Sequence, residues 1–373
     1  MMSFKHLHIT EEQIVQALQN PESCKDKSDA WWSSFIKILR FERLLSLFAF
    51  KCEELGLVAS FPLVVQGHLK NALIMAQRQS DHLKYEVSLL SDSIKTITPL
   101  CLYLKGAAYC LAEMSVSKGR LFSDIDVLVP KKSLDKIEKS LLFKGWLSKP
   151  MNDYDERYYR EWAHEIPPLV QSRRGTVVDI HHNLVPPISG KAPDINAFLS
   201  QTMDINGATV LKPHAMLLHS CIHLIFNETF KQAHRDLYDI ASLIKDFGSS
   251  MFWDEAIRLA KETGFYKELF LGCRYSSNKL GYKLPPELTT DVPYTRAKLM
   301  LLDFVMLKAL SPHHPLCKVQ GRSIANFLAW ARGHWCKMPI MLLIYHLSIK
   351  SGRALAEFVF GKHVFDTEGT PKQ

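Results

Sequence analysis

Up to about residue 95, apolar positions recur at spacings of three and four, as in Trp32, Phe35, Ile36, Leu39, Leu44, Leu45 and Phe48, and this period predicts helices. A long helix is expected from residue 62 to about 93. Charge pairs such as Lys51 with Glu54 read as its neighbours' solvated faces.

Near Thr96 the period changes. Leu100-Cys101-Leu102-Tyr103-Leu104 is a short apolar run with strand character, and Lys105-Gly106-Ala107-Ala108 turns it into a helix. A second strand is expected over residues 124–129, closed by Pro130. An amphipathic helix over 133–143 follows, with Gly145 as its stop. Residues 175–180 give a third strand. Strands alternating with helices predict a mixed core. From Lys212 the helical period returns, with Pro213 at a helix start, a second helix over 237–247 stopping at Gly248, and a third near Trp253. Residues 283–287 read as a loop with two or three helices beyond it. The expected class is α+β: an N-terminal helical region (1–95), a small mixed-sheet core (96–205) and a C-terminal helical region (206–373).

Composition narrows the partners more than the fold. At 373 residues with 47% hydrophobic and 23% charged positions, the chain is a globular protein with room for two or three domains. A net charge of +8 points to an anionic partner. The eight cysteines show no CxxC pair, which favours buried free thiols in a reducing compartment. Residues 1–10 lack the pattern of a signal peptide, and the apolar run over 339–349, interrupted by His346, is too short to span a bilayer. A cytoplasmic location is expected.

The strongest chemical signal is Asp124-Ile125-Asp126 inside an apolar strand. Side chains alternate along a strand, so the two carboxylates share a face while Ile125 and Val127 enter the core. Paired carboxylates repel unless a cation bridges them, and oxygen donors at this spacing suit Mg²⁺ or Mn²⁺ bound with substrate phosphates. Lys105-Gly106 lies where backbone N–H groups can meet phosphate, and Arg120 and Ser123 precede the acidic pair within reach of phosphate oxygens. Asp179 in the third strand would complete a carboxylate triad, able to orient or deprotonate an attacking hydroxyl.

These residues, from Leu104-Lys105-Gly106 through Arg120 and Ser123-Asp124-Ile125-Asp126-Val127-Leu128-Val129 to Val178-Asp179-Ile180-His181, resemble the bacterial uncharacterised nucleotidyltransferase family of the polymerase-β-like superfamily. The resemblance runs over residues 97–264 and takes in His219, His223, Arg235, Asp236 and Asp239. It implies that Asp124 and Asp126 hold the metals, that Asp179 is the third carboxylate, and that Gly106 forms the nucleotide-binding turn. It implies in-line attack of an acceptor hydroxyl on the α-phosphorus of a nucleoside triphosphate, with Lys105 and Arg120 balancing charge and two metal ions about 4 Å apart. The acceptor implied is unidentified, with surface-polysaccharide synthesis as the context. A nucleotide- or partner-binding protein without turnover, and a toxin-type transferase acting on protein or RNA, are the alternatives. The chain departs from the superfamily pattern in carrying Gly106-Ala107 at the turn, a longer separation from Gly106 to Asp124, and His182 where an aromatic residue is usual.

Other residues read two ways. His181 shares a face with Asp179 and either contacts substrate or is structural. His164-Glu165 precedes an expected strand and is a candidate lining of the same cleft. His219 and His223 have the spacing of metal ligands on a helix, but no Glu follows His219, and packing or a contact with Asp236 or Asp239 reads better. Arg235 reads as a phosphate contact or as an ion-pair partner of those acids. The basic C-terminal stretch, with Lys318, Arg322, Arg332, Lys337, Lys350, Arg353 and Lys362 against Glu357, suits an anionic membrane surface, a phosphorylated acceptor or a plain solvated face. No helix-turn-helix pattern stands out, so sequence-specific DNA binding is not expected.

Overall fold

In the computed structural model, which describes residues 7–361, the long helix is Leu63–Lys95. It joins the N-terminal helices to a sheet. Leu83, Val87, Leu90 and Ile94 form its buried stripe, at the spacing of one helical face. The same face buries Glu86, a costly step without partners. Arg174 Nη2 and Thr176 Oγ1 each donate to that carboxylate at 3.0 Å, and Ser91 Oγ lies 2.7 Å from Tyr103 Oη. The helix is thereby tied to the sheet by polar bonds as well as packing. Lys362, counted with the basic C-terminal stretch, lies outside the described residues, as do residues 1–6 of the segment read for a signal peptide.

Seven strands form one mixed sheet: β1 Leu102–Tyr103, β2 Ile125–Leu128, β3 Trp146–Ser148, β4 Leu169–Gln171, β5 Val177–His181, β6 Thr202–Ile205 and β7 Ala208–Leu211. Their order is β3-β4-β5-β2-β1-β7-β6. β2 runs parallel to β5 and β1 parallel to β7, and the remaining pairs are antiparallel. Three of these strands correspond to the expected ones, and each is shorter than or offset from the sequence reading by a residue or two. β3, β6 and β7 add to these, β4 follows His164-Glu165, and β7 carries the sheet to Leu211, past residue 205. β6 and β7 are joined by Asn206-Gly207, both at positive φ (51° and 81°), the geometry of a tight two-residue hairpin turn.

The helices fall close to their predicted positions, at Leu134–Phe143, Pro213–Phe226, Ala233–Phe247 and Ser250–Glu262. Twelve of the 14 residues of Pro213–Phe226 are buried, so this helix is the axis of the C-terminal bundle. Tyr266–Leu280 crosses it at Gly272, where a Cβ would lie 2.6 Å from Cys221 Sγ. A short helix, Pro286–Thr290, begins inside the expected loop and is followed by Arg296–Ala309, Arg322–Lys337 and Ile340–Phe360. One apolar core reaches from Ile9 to Ala329 across all three regions. The architecture is α+β, a mixed sheet with helical flanks. The cysteines are free, seven of them buried. Among the described residues no helix is long and apolar enough to cross a membrane.

Candidate active site

The parallel pairing of β2 with β5 sets Asp126 beside Asp179 and Leu128 beside His181. Because side chains alternate, Asp126, Asp179 and His181 emerge on one face, while Ile125, Val127, Val178 and Ile180 are buried on the other. That face floors a cavity of about 250 Å³. Asp124, one residue before β2, and Lys105, one residue after Leu104, open onto it as well. The cavity therefore gathers the three predicted carboxylates, Lys105 and His181. A larger cavity of about 750 Å³ lies away from them, between Tyr238, Trp253 and Pro285, and contains no such carboxylate cluster.

Asp126 is buried, and burial alone would raise its proton affinity. Lys105 Nζ at 2.8 Å and His181 Nε2 at 3.0 Å, both on Oδ1, overcome this and hold the carboxyl well below its usual range. The reciprocal effect keeps Lys105 and His181 above their ordinary values despite their own burial. His181 Nδ1 faces Glu165 Oε2 at 3.2 Å, so its ring bridges two carboxylates and bonds to neither oxygen of Asp179. Lys105 achieves its position with φ of 47°, a left-handed conformation uncommon for a side chain of its size, at the point where β1 turns into the helix Lys105–Leu111.

Asp179 behaves in the opposite way. Burial, then the nearby charges of Asp126, Glu165 and Asp124, push its carboxyl up to about 7. Its Oδ1 is buried without a hydrogen-bond partner. A buried acceptor left unpaired beside like charges is costly, and either a proton or a cation relieves that cost.

Gly106 and Arg120 are placed differently from the expectation that both face phosphate. A Cβ on Gly106 would lie 2.0 Å from Arg120 Nη1 and 2.9 Å from Phe122 Cδ1, so the glycine exists to let the guanidinium lie against the backbone. Arg120 is buried, donates from Nε to Asp239 Oδ2 at 3.1 Å, and sits over the ring of Tyr109 at 5.5 Å. It braces the turn from behind. Ser123 Oγ donates to Asp124 Oδ1 at 2.9 Å and so orients that carboxylate. Arg235 holds the Leu121 carbonyl at 3.2 Å and pairs with Asp236, the second of its two readings.

The remaining histidines resolve by burial. His223 lines the cavity, and Lys105 and then burial hold it well below its ordinary value. Burial pushes His219 down to about 3, so both are neutral. His164 and Glu165 line the cavity. Lys337, named with the basic C-terminal stretch, contributes, and Arg43 is a basic residue that escapes the sequence reading. Lys337, on Arg322–Lys337, reaches the cavity and pairs with Glu228 at 3.0 Å. Arg43, at φ of 56°, lies in the field of Asp124, Arg120 and Arg235. Arg43 carries no local sequence signal, because only the tertiary fold brings it there.

Two neighbouring parallel strands thus present carboxylates to one cavity, with cationic side chains at its walls. Residues 28–281 match the family described as uncharacterised nucleotidyltransferases, and the chain belongs to that family. The match begins well before the 97–264 span of the sequence resemblance and so includes the helices from Asp29 onward, the long helix Leu63–Lys95 among them. Comparison with curated proteins and with solved structures returns no match.

Proposed function

We propose that this cavity carries out divalent-metal-dependent transfer of a nucleoside monophosphate from a nucleoside triphosphate to an acceptor hydroxyl. The observation that carries the reading is the convergence of Asp124, Asp126 and Asp179, with Asp179 Oδ1 buried and unpaired. This donor set of carboxylate oxygens fits Mg²⁺ or Mn²⁺. A bound ion of this kind would neutralise the phosphates and stabilise the attacking and leaving oxygens. Lys105 and Lys337 place positive charge at the walls, where the triphosphate enters. Asp179, beside the other two carboxylates, is suited to orient or deprotonate the acceptor hydroxyl. Arg120 and Ser123 act as positioning residues for the Lys105–Gly106 turn and for Asp124.

The acceptor we favour is a glycan intermediate or another small hydroxyl compound in the cytoplasm. One observation favours a binding protein without turnover: the Lys105 ammonium already neutralises Asp126. Calorimetric titration with a non-hydrolysable nucleoside triphosphate separates the metal site from its absence. The wild type binds it with Mg²⁺ or Mn²⁺ and not in EDTA, and Asp126→Asn loses that dependence. Absence of metal-dependent binding in the wild type contradicts the proposal.

A further inference from the structure

We propose that the same cavity holds a second, chemically different cation site, built by His164, Glu165 and His181 for a transition-metal ion of the zinc class. One donor atom from each residue lies within 4.8 Å of the others. Small side-chain rotations from that spacing reach metal–ligand bonds of about 2.0–2.2 Å.

The donors are held from behind. Residues 164–166 are pinned to β5 by backbone bonds, His182 N to His164 O at 2.8 Å and Ile166 N to Ile180 O at 3.1 Å, and by a bridge between Glu165 and His181. The imidazoles of His164 and His181 lie 5.3 Å apart. His164 Nδ1 is buried without a hydrogen-bond partner. Such a nitrogen in a cavity wall is costly unless something binds it, and a neutral imidazole offers a lone pair. His181 supplies the second indication. Its Nε2 meets Asp126 Oδ1 at 3.0 Å while its Nδ1 faces Glu165 at 3.2 Å. A ligating imidazole commonly donates its far N–H to a carboxylate, which fixes its tautomer and strengthens it as a donor. Asp126 stands in that relation to His181.

Two imidazoles and one carboxylate select against Mg²⁺, which prefers oxygen donors, and favour Zn²⁺ or Co²⁺ with a fourth position open to the cavity. The carboxylate triad of the proposed function and this histidine-containing set share the cavity but draw on different donors. The binding claim therefore stands apart from nucleotidyl transfer, and its test reads metal retention instead of turnover.

The full chain, stripped with EDTA, is dialysed against Zn²⁺ alone and against Zn²⁺ in large Mg²⁺ excess, and bound metal is measured by mass spectrometry. The proposal predicts one Zn²⁺ per chain under both conditions. Glu165→Gln and His164→Gln each weaken retention at least ~10-fold, with circular dichroism in EDTA confirming that they fold. Asp124→Asn keeps its Zn²⁺ while losing Mg²⁺-dependent nucleotide binding, so the two sites fail separately. Replacement of Zn²⁺ by Co²⁺ in the wild type gives the visible absorption of a four-coordinate ion and decides the matter should both variants unfold. No retained Zn²⁺, retention unchanged in both folded variants, or a Co²⁺ spectrum of a purely hydrated ion overturns the proposal.

Discussion

At the scale of single residues, the candidate site is a set of charges whose positions depend on contacts behind them. Gly106 is the clearest case. A methyl group there meets the Arg120 guanidinium at 2.0 Å, and Arg120 cannot retreat because Asp239 and Tyr109 hold it. Gly106→Ala is expected to cost about 1–3 kcal/mol by overpacking, read by denaturant unfolding. In an Arg120→Ala background the same substitution costs clearly less, since the nearest clashing atoms are gone and only the Phe122 contact at 2.9 Å remains. Additive costs would contradict the packing account. The sequence makes the three aspartates legible, because acids inside apolar strands demand a reason. It does not reveal that Arg120 points away from the cavity. An arginine beside an acidic motif reads as a phosphate contact until Asp239, 119 residues later, claims it.

At the scale of elements, what the sequence shows depends on period. Long helices repeat their pattern over many turns, so Leu63–Lys95 and Pro213–Phe226 emerge near their true limits. Strands of two to five residues give no such repetition. β3 and β4 are three residues each, too short for an alternation to register. β6 and β7 did carry a signal, the Asn206-Gly207 pair, which favours a tight hairpin because both residues tolerate positive φ. Joining helix Asp29–Phe41 to the distant 309–317 segment, Glu42 illustrates a contact no period foretells. It is buried, accepts the His313 N–H at 2.6 Å, and is pushed up by burial to about 7. Its folded value exceeds the unfolded one, so the stability it contributes is present below the unfolded value and lost as pH rises through 7. The loss between pH 5 and 7 is about 2 kcal/mol. Glu42→Gln, which keeps the acceptor oxygen, flattens that slope in thermal unfolding from pH 5 to 8. An unchanged slope would show that Glu42 does not titrate there.

At the scale of the whole molecule, the cavity is completed by a helix far along the chain from its carboxylates. Arg322–Lys337 lies beyond the 28–281 family match yet brings Lys337 to the wall. It can approach because Gly333 lies against Asn227 and Glu228, where a Cβ would stand 2.7 Å from the Asn227 carbonyl. Lys337→Met is expected to weaken metal-dependent nucleotide binding about tenfold, the loss of one charge-assisted contact, with the thermal midpoint little changed. Gly333→Val is expected to do the same by moving the helix. Equal affinity in both would place the triphosphate away from this wall.

The central claim is that Asp124, Asp126 and Asp179 form a nucleotidyl-transfer site. Its most direct test is incubation of the purified chain with nucleoside triphosphate labelled at the α- or the γ-phosphorus, Mg²⁺ or Mn²⁺, and an extract of its host. An Asp124→Asn/Asp126→Asn protein runs in parallel. The account predicts metal-dependent transfer of the α-label to an acceptor, no transfer of the γ-label, and loss of both label and metal dependence in the double variant. Transfer of the γ-label instead, or no transfer of the α-label by the wild type in any extract and with either metal, would contradict it.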